Sequence, residues 1–129
     1  MISAGGVPWT VLIVDDEPDL CDIVRRMLRG RGYDTLTAGG FAAAVALCDT
    51  HPGPIHLVVT DLRMPDGSGT DLAERVQRTR PGTPVLFMSG LPAHAGPVAD
   101  LITASATVLA KPFTPTELLA AVGQALPAA

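Results

Sequence analysis

The sequence is poor in cysteine, and that scarcity sets the first limits. Cys21 and Cys48 lie far apart with no second pair, so no zinc-ligand spacing exists. Two small buried apolar residues are expected there rather than a disulfide. Long apolar runs are missing too. None reaches membrane-spanning length, and no signal-peptide pattern opens the chain, so a soluble cytoplasmic domain is expected. Positive charge is in short supply: 9 Lys and Arg against 13 Asp and Glu give a net charge of −4. That argues against a nucleic-acid surface built on bulk charge. Charged residues make up 17% and hydrophobic residues 47%, a balance that excludes general disorder. No internal repeat or linker divides the 129 residues. Residues 1–9 read as a flexible lead-in and residues 10–127 as one domain.

What is present is an alternation. Val11-Leu-Ile-Val14 is a short continuous apolar run, as expected of a strand buried on both faces. Leu20, Ile23, Val24, Met27 and Leu28 follow at helical spacing, behind Pro18 and before Gly30 and Gly32. Asp34–Ala38 reads as a weak second strand, and Phe41, Ala44, Val45 and Cys48 as a second helix. Ile55–Thr60 is a third strand, Leu72, Ala73 and Val76 mark a third helix, and Pro84–Ser89 holds a fourth strand. Residues 91–106 should be helical by their place in the order, with Gly96-Pro97 interrupting, so a short or distorted helix is expected. Thr107–Ala110 is a fifth strand. Thr114-Pro-Thr-Glu117 fits a capping box that opens a last helix. Strand and helix repeated five times imply a doubly wound α/β domain, with a five-stranded parallel sheet and right-handed crossovers.

In such a sheet the ligand site lies at the carboxyl ends of the strands. Asp15 and Asp16 follow the first strand, Asp61 ends the third, Ser89 the fourth, and Lys111 follows the fifth. Three converging carboxylates repel one another unless a cation sits among them. Mg²⁺ suits an all-oxygen set that also shares its ion with water and phosphate. Lys111 adds three donors for phosphate oxygens and Ser89 a hydroxyl. The sum is a site for a phosphoryl group, with a carboxylate available as nucleophile.

Asp15-Asp16, Asp61-Leu-Arg-Met-Pro-Asp-Gly67, Ser89-Gly90 and Lys111-Pro112-Phe113, in this order and spacing, resemble the receiver domain of two-component response regulators, the CheY-like family. The resemblance runs from about Val11 to Leu126. It implies a flavodoxin-like strand order of 2-1-3-4-5. It implies a phosphoacceptor at Asp61 served by a histidine kinase or a phosphotransfer protein, in a module that assists its own phosphorylation and dephosphorylation without being an enzyme in the usual sense. Mg²⁺ would be held by Asp15, Asp16, Asp61 and the backbone carbonyl of Arg63. Lys111 would pair with Asp61 and then with the phosphoryl oxygens, and Ser89 would hydrogen-bond the phosphoryl group. The Lys111–Pro112 bond would be cis, and the small Gly90 would leave the acyl phosphate reachable. Arg63 and Leu91 would flank the entry of hydrolytic water. No direct nucleic-acid or membrane contact is expected, and a weak homodimer is compatible. The run Val85-Leu-Phe-Met-Ser-Gly90 with Lys111-Pro-Phe-Thr-Pro115 resembles receivers attached to hybrid kinases.

The resemblance has a gap. The family often carries Tyr or Phe three residues before the lysine, and this chain has Val108. Two alternatives therefore stand beside the main reading. One is a pseudo-receiver that binds a partner without phosphorylation. The other is a small phosphatase of the haloacid dehalogenase type, which would want a second acid two residues after the nucleophile where Arg63 stands. Singly, each site residue has a plainer reading: acids favour helix starts and turns, and lysines favour the surface. Asp66 and Asp71 are expected as turn and helix-cap residues. His51, His56 and His94 are expected in loops or at the surface, and Trp9 as a cap on the sheet edge. Arg25, Arg26 and Arg29 are expected as a solvated helix face, with partner docking as the sharper alternative.

Overall fold

A computed structural model describes residues 8–92, 95–103 and 106–126 of the chain, without the side chains of 102 and 103. Residues 1–7 of the lead-in expected at 1–9, and His94, lie outside the described residues; Trp9, expected within that lead-in, is instead buried in the core. Five parallel strands form the main sheet: β1 (Thr10–Val14), β2 (Asp34–Ala38), β3 (Leu57–Asp61), β6 (Val85–Ser89) and β7 (Val108–Ala110), in the order β2-β1-β3-β6-β7. Numbered among the sheet strands alone, this is the expected 2-1-3-4-5. The helices between them are α1 (Pro18–Arg29), α2 (Phe41–Thr50), α3 (Gly69–Thr79), α4 (Gly96–Thr103) and α5 (Pro115–Ala125).

The continuous apolar run of β1 is explained by where its side chains go. Val11 and Ile13 pack with Val24 and Leu28 of α1 and with Leu118 and Val122 of α5. Leu12 and Val14 face the other way, against Ala44 and Cys48 of α2 and Leu72 and Val76 of α3. All four β1 side chains are fully buried. Helix α4 extends the second face by setting Val98 against Phe87 and Leu62. Burying a Val, Leu or Ile side chain is worth about 1.5–3 kcal/mol, so this strand anchors both layers. Both cysteines are buried and free, as expected.

Local signals set most helix ends. Pro18 and Asp19 open α1, Arg26 and Arg29 close it, and Gly32 carries the turn at φ +87°. The capping box of α5 is complete: the Thr114 hydroxyl accepts the Glu117 amide while the Glu117 carboxylate accepts the Thr114 amide. Three readings need correction. Gly96-Pro97 does not interrupt α4; it begins it, because proline suits a first helical turn, while the helix is short as expected, with 8 residues. The cap of α3 is Ser68, whose Oγ accepts the Asp71 amide at 3.1 Å, so Asp71 sits in the first turn and is not the cap. The stretch after Asp61 is more than a turn: β4 (Arg63–Met64) and β5 (Gly67–Ser68) form a small antiparallel hairpin around Pro65-Asp66.

Two tertiary contacts had no local signal. Arg80, at the end of α3, donates to three main-chain oxygens: Cys48 at 2.9 Å, His51 at 2.7 Å and Gly53 at 2.9 Å. It closes the C-terminal end of α2, whose last turn holds no basic residue. Trp9 is buried and meets His56 edge-on, with ring centroids 4.8 Å apart. His56 Nδ1 accepts the Thr10 amide at 2.9 Å.

Candidate functional site

Strand register alone brings the polar residues together. Val14 stands level with Thr60, so Asp15 and Asp61, the next residue on each strand, reach the same height. Asp61 is level with Met88, which places Ser89 one step beyond it. Ser89 is level with Ala110, so Lys111 follows at the same edge. The ladder continues past the strands. Asp15 donates its N–H to the Ala38 carbonyl at 3.2 Å, Leu62 to Met88 at 3.0 Å and Lys111 to Ser89 at 2.7 Å. Each side chain therefore leaves a backbone that is already held.

Asp15, Asp16 and Asp61 each offer a carboxylate oxygen within 4.8 Å of the others. Their surroundings differ. The Asp15 side chain is fully enclosed, Asp61 is 14% exposed, and Asp16 lies open. Asp15 Oδ1 accepts the Glu17 amide at 2.9 Å and its Oδ2 accepts Lys111 Nζ at 3.0 Å. Lys111 Nζ also donates to Asp61 Oδ2 at 3.2 Å and lies 3.9 Å from Glu17 Oε1. Lys111 is the chain's sole lysine. Burial pulls the Lys111 pKa down, but the hydrogen bond and charge of Asp15, joined by Asp61, outweigh it and hold the pKa above the ordinary 10.5. Glu17 is the N-cap of α1, and it meets Lys111 because the start of α1 and the residue after β7 reach the same edge of the sheet.

A cleft of about 220 Å³ opens over Asp61, lined also by Leu62, Arg63, Ser89, Gly90, Leu91, Lys111 and Glu17. Ser89 is buried, and its Oγ accepts the Leu91 amide at 3.0 Å. A Cβ on Gly90 would meet nothing within 4 Å, so the cleft is open on that side. The Lys111–Pro112 bond is cis. With the carboxylates ionised, three negative charges against one ammonium leave two uncompensated. That residual charge, and a ligand set made only of hard oxygens, fit a divalent cation such as Mg²⁺. Opposite Val108, in register on β6, stands Phe87, so the aromatic next to this edge sits one strand over from the expected place. Phe87, Val108, Val98 and Leu101 share one cluster with Leu62 and Leu91.

The remaining expected residues fall outside the cleft. Arg25 and Arg26 pair with Asp22 on the surface of α1. His51 and His56 lie in the connection before β3. Asp66 is at the hairpin turn, but its carboxylate reaches the start of α2, which nothing in the local sequence indicated.

The same architecture recurs in known proteins. A family model described as the response regulator receiver domain matches residues 11–123. The probable transcriptional regulatory protein TcrX of Mycobacterium tuberculosis is 35% identical over 119 residues, covering 92% of this chain and 50% of TcrX. The chain thus spans about half the length of that relative. A CheY-like receiver domain protein from Methanospirillum hungatei superposes with a TM-score of 0.80 at 25% identity, over 91% of this chain and 92% of its own. The non-phosphorylated HemR receiver domain from Leptospira biflexa gives a TM-score of 0.79 at 29% identity, over 94% and 96%. Receiver domains are not enzymes in the usual sense, and among the described residues no helix is long and apolar enough to cross a membrane. With its sheet order, its carboxylate cluster and a family match over nearly the whole chain, this protein belongs to the response regulator receiver domain family.

Proposed function

We propose that the chain accepts a phosphoryl group on Asp61 from the phosphohistidine of a kinase or phosphotransfer protein. The observation that carries this reading is the position of Asp61. Its carboxylate lines an open cleft, 3.2 Å from a lysine ammonium and beside two further carboxylates. In the transfer, an Asp61 carboxylate oxygen forms the new O–P bond as the donor's N–P bond breaks. The imidazole leaves, and Asp61 becomes an acyl phosphate. Asp15, Asp16, Asp61 and the Arg63 carbonyl would hold Mg²⁺, which supplies charge neutralisation for the incoming phosphoryl oxygens. Lys111 exchanges its bond to Asp61 for a phosphoryl oxygen, and the Ser89 hydroxyl donates to another. Hydrolysis returns the carboxylate and inorganic phosphate, with Arg63 and Leu91 at the mouth controlling the access of water.

The donor has a surface to use. Leu20, Ile23 and Met27 of α1 and Pro112 and Phe113 line an apolar cleft of about 370 Å³ that adjoins Lys111 and Glu17. Ile23 is 47% exposed, a large apolar side chain open to solvent. A protein docked there would bring its phosphohistidine to the edge of the Asp61 cleft.

The test is intact mass after incubation with acetyl phosphate, with Mg²⁺ or with EDTA, on the wild type and Asp61→Asn. Gain of one phosphoryl group with Mg²⁺ only, and none in the variant, is the expected result. No gain under any condition would replace this reading with that of a pseudo-receiver.

A further inference from the structure

The hairpin that follows Asp61 is tied at both ends. At its base, Leu62 donates to Met88 and its own carbonyl accepts the Gly69 amide at 2.9 Å. At its tip, Asp66 reaches into another layer. Its Oδ1 accepts the Phe41 amide at 2.8 Å and its Oδ2 the Ala42 amide at 3.0 Å. These amides open α2, whose own N-cap, Gly40, has no side chain to offer them. The fit is close. A Cβ on Gly40 would lie 2.8 Å from Asp66 Oδ1, and one on Gly67 would lie 2.6 Å from Phe41 Cγ. Between the two anchors lie Arg63, which borders the Asp61 cleft, and Met64, buried among α2 and α3 side chains.

We propose that Asp66 is a positioning residue for the Mg²⁺ centre: by gripping the start of α2 it fixes the path of the hairpin and with it the Arg63 carbonyl. This rests on the reading above that the Arg63 carbonyl faces the ion. Coupling between two sites is reciprocal. If the grip on α2 favours metal binding, metal binding must tighten the grip. The occupancy of the cleft is then felt at the amides of Phe41 and Ala42, whose hydrogen-bond acceptor is Asp66 and not one of the three clustered carboxylates. The first turn of α2 becomes a second place where the state of the site is expressed.

The experiment combines amide hydrogen exchange at Phe41 and Ala42, with and without Mg²⁺, and calorimetric Mg²⁺ affinity. It uses the wild type, Asp66→Ala, Asp66→Asn and Arg80→Ala. Exchange at both amides should slow severalfold on adding Mg²⁺. Asp66→Ala should bind Mg²⁺ about fivefold more weakly, at the lower end of typical coupling. Asp66→Asn keeps one acceptor and presents a donor on the other side, so it should fall between. Arg80→Ala destabilises the fold away from the hairpin and should leave Mg²⁺ affinity unchanged, separating positioning from general loss of stability. Wild-type Mg²⁺ affinity in Asp66→Ala, or exchange at Phe41 and Ala42 indifferent to Mg²⁺, would overturn the proposal while leaving the site reading intact. Absence of Mg²⁺ binding by the wild type would remove both.

Discussion

The ammonium of Lys111 lies 3.0 Å from Oδ2 of Asp15, a carboxylate with none of its side chain exposed, and reaches Asp61 from the same position. One cation therefore compensates two acids delivered by two different strands. Removing one partner of a fully buried ion pair costs about 3–5 kcal/mol. Lys111 is 16% exposed and its cleft is open, so Lys111→Met should cost less, about 2 kcal/mol in EDTA. Mg²⁺ should then stabilise the variant more than the wild type, because it takes over the lysine's role. Urea melts in EDTA and in Mg²⁺ measure both effects.

The same lysine sets an alkaline limit. Its folded pKa lies above 10.5, so its contribution is complete below 10.5 and is lost as pH rises through the folded value. Melts of the metal-free wild type should show this alkaline limb, and Lys111→Met should lack it.

His56 gives the opposite limb. Burial lowers its pKa below 6.5, and its Nδ1 accepts the Thr10 amide, which a protonated ring cannot do. The neutral ring's contribution is full above 6.5 and fades as pH falls through the lower folded value. Trp9 is the chain's sole tryptophan and lies edge-on to His56. Its fluorescence should titrate in this acidic range, and His56→Gln should abolish the step. A pH-independent signal in the wild type would contradict the assignment.

Arg80→Ala removes three charge-assisted hydrogen bonds to main-chain oxygens and should cost about 2–3 kcal/mol, the range of one or two strong bonds after solvent replaces the rest. Arg80→Lys should recover little of this, because a single ammonium cannot span three acceptors held by a planar fork. Chemical denaturation of both variants decides the point.

Two glycine exchanges separate a tight backbone from a free one. A Cβ on Gly69 would run into the Asp61 carbonyl oxygen and lie 3.2 Å from Leu62 Cα. Gly69→Ala should cost about 1–3 kcal/mol and slow phosphorylation, because the backbone that yields carries the nucleophile. Gly123, within α5, would meet nothing. Gly123→Ala should stabilise by about 0.5–1 kcal/mol and leave phosphorylation unchanged.

Much of this molecule was readable from short stretches of sequence. Strands buried on both faces appear as continuous apolar runs, and β1 and β3 stop at the acids that follow or end them. The capping box of α5 spans four residues and involves nothing else. The convergence of Asp15, Asp61, Ser89 and Lys111 followed from strand alternation, because parallel strands must end on the same side. The contacts that escaped join residues far apart in the chain. Asp66 on the amides of α2, Arg80 on residues 48–53 and Trp9 against His56 leave no spacing to detect. Gly96-Pro97 misled for a local reason: the same pair that breaks a helix in its middle can open one at its start.

Arg80 takes only main-chain oxygens, one from the last turn of α2 and two from the connection to β3. Every residue type supplies such an oxygen, proline included, and Pro52 and Pro54 stand within and beside the stretch it binds. The clamp is therefore blind to side-chain identity. Exchanges at the exposed positions of this stretch leave the bonds to Arg80 available, because the acceptors belong to the main chain, while position 80 itself admits no comparable drift.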